Sequence, residues 1–248
     1  MKKIITLVLA LAMAVSLFTG CGKKKTSKLE KGDISSGTVV MMVGDYQVRY
    51  SEVMAYCYFL KCQYEDSFGK ELWNYKLSEN ETIGDQAKQE IVNMITQLKV
   101  ISGVAQEQEV SLSADEQDEA LRQAESLVQN ATAADKKTYS LSVQKISEIY
   151  QENFLAEKMF YVATDDADTN VSDEEARQAI LDEKAKTASG AAIGTEEDET
   201  AITQDMISQQ KEVIIQQRQS DMFVKKYNQW LQDKKVDINQ SFWNDFSL

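Results

Sequence analysis

The sequence predicts a mostly α protein with one small β-hairpin, and three observations carry that reading. Apolar residues recur at spacings of three and four over long stretches, as on the buried side of a helix. Ser113-Ala-Asp-Glu116 and Ser172-Asp-Glu-Glu175 are capping boxes, the signature of a helix start. The chain has no proline, so nothing forces its helices to kink.

Taken in order, residues 1–20, MKKIITLVLALAMAVSLFTG, open with Lys2 and Lys3 and run apolar from Ile4 to about Phe18, which reads as an export signal. That run is shorter than the roughly 20 residues a membrane-spanning helix needs. Leu17-Phe18-Thr19-Gly20-Cys21 resembles the lipobox of bacterial lipoproteins, with Phe18 where that motif usually has Leu. The resemblance implies cleavage before Cys21 and lipidation of its sulfur, which would hold the protein on the outer face of the cell membrane. Residues 21–37 then form a polar tether, with Lys23, Lys24, Lys25 and Lys28 beside the headgroups.

Residues 38–163 hold the hairpin and a helical lobe. VVMMVGDYQV places two apolar runs around Gly44-Asp45, a dipeptide suited to a tight turn. Ser51 starts a helix running to about Asp66, with Gly69 as its stop, and residues 72–80 read as a loop or short turn. Ala87, Ile91, Met94, Leu98, Ile101 and Ala105 mark a helix with one apolar stripe. The helix opened at Ser113 turns Leu121, Ala124 and Val128 inward, a polar break covers 131–138, and another helix carries Val143, Ile146, Tyr150, Phe154 and Met159. Residues 164–200 contain a short polar helix to about Ala188 and then an acidic linker, SGAAIGTEEDET. Residues 201–248 begin with one long helix to about Lys235, with Met206, Val213, Val224, Tyr227 and Leu231 on one side. Val236 and Ile238 alternate like a strand that pairs with the first hairpin.

Composition excludes several functions. The net charge is −13, and without residues 1–20 it is −15, from 25 basic and 40 acidic side chains. A nucleic-acid partner is excluded by the want of a basic stripe outside the tether. There is no histidine, which removes Ser-His-Asp and Cys-His catalysis and the HExxH zinc site. Cys57 and Cys62, five apart on a helix, are too distant for a disulfide and read as small apolar side chains. Acidic runs at Asp165-Asp166-Ala167-Asp168 and Glu196-Glu197-Asp198-Glu199 lack the spacing of a calcium loop and read as solvated charge. No cofactor and no metal are expected.

The order of elements resembles the SurA and PrsA family of exported chaperones. The residues that carry it are Val43-Gly44-Asp45-Tyr46-Gln47-Val48 with Ser51-Glu52, the stretch Tyr64 to Gly69 (YEDSFG) with Trp73, Val171-Ser172-Asp173-Glu174-Glu175, and Lys235-Val236-Asp237-Ile238-Asn239. The resemblance implies a SurA N-terminal-like helical module, completed by the long return helix and closing strand. It also implies a parvulin prolyl isomerase domain between the two parts. Here that interval, about 164–200, is too short for one and lacks the family's histidines, so the chaperone module carries over and the isomerase chemistry does not.

Nine of the 21 aromatic residues lie between Tyr46 and Tyr75. A single helix cannot bury rings on every side, since Tyr56 and Tyr58 point about 200° apart. Tyr50, Met54, Tyr56, Tyr58, Phe59, Tyr64, Phe68 and Trp73 are therefore the expected client contacts, with two or three of the rings lining an exposed groove. Tyrosine suits a wet apolar surface, and methionine adapts to varied shapes. The expected function is to hold unfolded or nascent exported polypeptides without catalysis. The alternatives are a helical envelope scaffold with one dedicated partner, and a prolyl isomerase like the full-length family members.

Overall fold

The computed structural model describes residues 35–187, 202–246 and 248; the expected signal, Cys21, the tether up to residue 34 and the acidic linker from 188 to 201 lie outside the described residues. Strands β1 (Val39–Val43) and β2 (Tyr46–Arg49) form the expected hairpin through Gly44 and Asp45. Farther along the chain come the small strands β3 (Lys76–Ser78) and β4 (Glu81–Thr82) and the closing strand β5 (Val236–Ile238). Strand β5 pairs antiparallel with the other edge of β1, giving the order β2-β1-β5. Met41 faces Ile238 and Val43 faces Val236 across that pairing, and the Gly44 N–H donates to the Lys235 carbonyl at 2.8 Å.

Directly after β2, helix α1 (Tyr50–Leu60) begins, but it does not continue regularly to Asp66. Residues Lys61–Glu65 form a π-helical turn before the short α2 (Asp66–Phe68), which Gly69 ends with φ at 75°. The expected loop or short turn at 72–80 holds the end of a 3-10 turn (Lys70–Asn74) and, beyond the expectation, the small hairpin of β3 and β4. Gly84 matters just beyond, because a Cβ there would meet the Trp73 carbonyl at 2.9 Å.

Helix α3 (Ile83–Glu107) starts at a capping box of Thr82 and Asp85. The stripe expected from its spacing is buried, but so are all residues from Met94 to Val100, so this helix is enclosed on every side over about two turns. Helix α4 (Ala114–Asn130) carries the expected capping box of Ser113 and Glu116. Its inward line is Ala120 and Ala124, while Leu121, expected inside, is exposed. One residue is a rotation of about 100°, and small side chains let the helix approach closely. The polar break is largely a short helix, α5 (Ala133–Thr138), followed by α6 (Val143–Thr164). Helix α7 (Asp173–Thr187) starts at Ser172, whose Oγ accepts from the Glu175 N–H at 3.0 Å. The long return helix is α8 (Gln204–Gln232), and α9 (Gln240–Asp245) follows β5. On α8 the buried line is Ile207, Phe223 and Tyr227, and Val213, expected inside, is exposed.

The chain falls into two compact units, one reaching to Met159 and resuming at Asn228, the other Phe160–Tyr227. The first holds the sheet and a core built on α3, with Ile91, Ile95, Leu98 and Ile101 almost fully enclosed. The second has a smaller core of Ala176, Ile180, Ile202 and Ile207, with Leu181, Met206 and Ile214 partly covered against it. No helix among the described residues is long and apolar enough to cross a membrane.

Candidate functional site

The expected client contacts divide by burial. Met54, Tyr56, Tyr58 and Trp73 are buried, and in this arrangement they offer no surface to a partner. Tyr50, Phe59 and Tyr64 are half-buried, and Phe68 is 68% exposed. The rings are absorbed because partners come from every direction. Tyr58 packs on Tyr139 beyond α5, Phe59 bridges Tyr56 and Tyr150, and Tyr64 meets Trp73 edge-on at 6.3 Å. The Trp73 indole N–H donates to Glu65 Oε1 at 2.6 Å. Tyr56 and Tyr58 do point apart as a helix requires; each finds its own cover.

Beneath α1 lies a buried ionic group absent from the expectations. Lys99 Nζ on α3 is 2.7 Å from Glu52 Oε1 on α1 and also binds Glu152 Oε1 on α6. The side chains are 8%, 4% and 20% exposed in that order, so two carboxylates share one ammonium in a region of low dielectric. Burial works against the charge on Lys99, but Glu152 and Glu52 outweigh it and raise its pKa. Burial raises the pKa of Glu152, Lys99 opposes that rise, and Glu52 adds to it. The Tyr56 hydroxyl, buried beside both carboxylates, has no hydrogen-bond partner among the described residues; burial first and then these charges raise its pKa. The group pins three helices in one register. No sequence signal marks it, because its members lie far apart along the chain.

Two further surfaces belong to this unit. An open cleft of about 540 Å³ is lined by Tyr46, Ser102, Val110, Leu112, Glu152 and Leu155, among others. Phe68, Tyr75 and Leu77 are exposed within about ten residues of one another in sequence, at 68%, 65% and 45%. At its first residue α1 also meets α9. Phe242 meets Tyr50 edge-on at 5.8 Å, and Phe242, Trp243 and Phe246 stack among themselves at 5.0–5.7 Å. The signal for this contact is the ring-rich SFWNDF of residues 241–246, three rings in six positions directly after a strand pattern.

Cys57 is buried and its thiol pushed up to about 12 by that burial, far from a reactive thiolate, while Cys62 is exposed. Among the described residues no three potential ligands gather for a metal ion. Asp166 binds Lys226 at 2.9 Å, and Asp168 binds Arg218 at 3.2 Å. The model of one protein family, described as the SurA-like N-terminal domain, matches residues 1–148. No curated protein and no solved structure matches the chain.

Proposed function

Because the chain belongs to the SurA-like N-terminal domain family, a chaperone-type family of the extracytoplasmic space, we propose that it holds unfolded or folding exported polypeptides on an apolar and aromatic surface. The holding is non-catalytic and needs no cofactor. Lipidation at Cys21 keeps the module on the outer face of the cell membrane, where its clients emerge. Phe68 is the member of the expected contact set most open to a client, and Tyr75 and Leu77 are further large apolar side chains left exposed. Tyr50, Phe59 and Tyr64 contribute their open edges.

The observation that carries the reading is the family match together with these large apolar side chains left in water near the front of an otherwise acidic chain. Binding of this kind is broad and weak, on the order of micromolar. The test is aggregation of a reduced, unfolding protein in the presence of the chain from residue 22. Suppression at near-equal concentrations, weakened by Phe68→Ser with Tyr75→Ser, is expected; the absence of suppression and of any binding to unfolded chains rejects the function. Metabolic labelling with a fatty acid, lost in Cys21→Ala, tests the anchor.

A further inference from the structure

Around Tyr50, one of the expected client contacts, α1 is already occupied, and the occupant has the chemistry of a client. Residues after β5 place Phe242 on Tyr50, while Phe246 and Leu248 close a space whose other walls include Met54, Cys57, Trp73 and Tyr139. Three features describe this contact. A space of about 130 Å³ remains at the seam, room for several waters. The Trp243 indole N–H is buried with no acceptor among the described residues, a cost that lowers the stability of the covered state. Polar ties across the seam are slight: the Asn239 N–H reaches the Val40 carbonyl at 3.0 Å, and Lys88 Nζ reaches the Phe246 carbonyl at 3.1 Å.

We propose that residues 240–248 are a tethered stand-in for client, covering the Tyr50, Met54, Cys57 and Trp73 face and leaving it when an unfolded polypeptide supplies rings of its own. The proposal rests on the holding function above and names its preferred segment: two or three aromatic side chains within about one helical turn, as Phe242, Trp243 and Phe246 are placed. Occupation by the chain's own segment weakens every client by the fraction of time the face is covered. Lone rings on folded proteins then compete poorly, whereas a segment with several rings displaces the stand-in. The same cover keeps the apolar side chains beneath it out of water between clients.

The test compares the chain from residue 22 with the same chain ending at Asn239. The probes are labelled, reduced and carboxymethylated α-lactalbumin, and a labelled peptide of residues 240–248. The shortened chain is expected to bind α-lactalbumin about tenfold tighter, as for a face covered roughly nine-tenths of the time. The peptide is expected to bind the shortened chain and to compete with α-lactalbumin. Equal affinities, or a peptide that binds without competing, overturn the proposal, and so does loss of cooperative unfolding in the shortened chain, which would make the segment core. Hydrogen exchange on the intact chain gives a reading that needs no truncation. The amides of Trp243 and Phe246 should exchange at least about tenfold faster than those of α3 and lose protection when α-lactalbumin is added; protection equal to α3 and unmoved by client overturns it. Peptide binding to the shortened chain, with no α-lactalbumin bound by either chain, leaves a detachable segment and removes the holding function.

Discussion

The unit built on α3 and the unit Phe160–Tyr227 both carry ion pairs at the surface, such as Lys158 with Glu116 and Lys226 with Asp166, but the first also buries one. In the first, Lys99 is buried between Glu52 and Glu152. In the second, the ion pairs lie at the rim: Arg218 with Asp168 and Glu175, Lys211 with Asp173, and Lys226 with Asp166, around a small apolar cluster. Water screens the rim pairs, so each contributes little, while a buried group is costly to break whatever it contributes intact. Salt can loosen the surface pairs of both units, but not the buried group of the first.

The comparison breaks most sharply at Lys99. Lys99→Met leaves two carboxylates buried without a cation, and the expected loss is about 3–5 kcal/mol in the first unit, read from urea unfolding; a change under about 1 kcal/mol would show that the group is solvated in practice. In the second unit Ile207→Ala, at the centre of the small cluster, is expected at the low end of about 2–5 kcal/mol, since so small a core can relax around the gap. Exchange protection should fall in Phe160–Tyr227 and stay unchanged on α3. Arg218→Ala is the weaker probe, expected under about 1 kcal/mol and fading as salt is raised; a loss unmoved by salt would contradict a screened rim.

Acid sharpens the same contrast. The Asp166 and Asp173 carboxyls are held below their ordinary 3.8 chiefly by hydrogen bonds from Lys226 and Lys211. Their contribution is present above pH 3.8 and is lost as pH falls through the lowered folded values. Glu152 runs the other way. Its folded pKa is raised above 4.5, so the first unit gains stability as pH falls through that raised value, with the gain complete near 4.5. Glu152→Gln should therefore be more stable than the unaltered chain at about pH 7 and lose that advantage toward pH 4.5. Thermal unfolding across this range checks it, and an advantage that grows with acid would reverse the assignment.

Much of the architecture was legible. The turn at Gly44-Asp45, the capping box at Ser113 and the pairing of the closing strand with the hairpin each depend on local chemistry or simple alternation, and each is present. The ring contacts were harder. The π turn at Lys61–Glu65 changes the angle per residue, so a regular wheel drawn from Tyr56 loses its register before Tyr64. Tyr58 is buried by Tyr139, beyond a helix whose residues read as a polar break. The ionic group could not be read at all, since Glu52, Lys99 and Glu152 each look like an ordinary surface charge until three helices bring them together.

The pairing of β1 with β5 also sets an order of events. Met41 is made early and Ile238 nearly two hundred positions later, so a growing chain carries one bare strand edge through most of its synthesis. The long loop to be closed makes this a slow, late step. Until it happens the β1 edge that β5 covers stays open to any other strand that could pair with it.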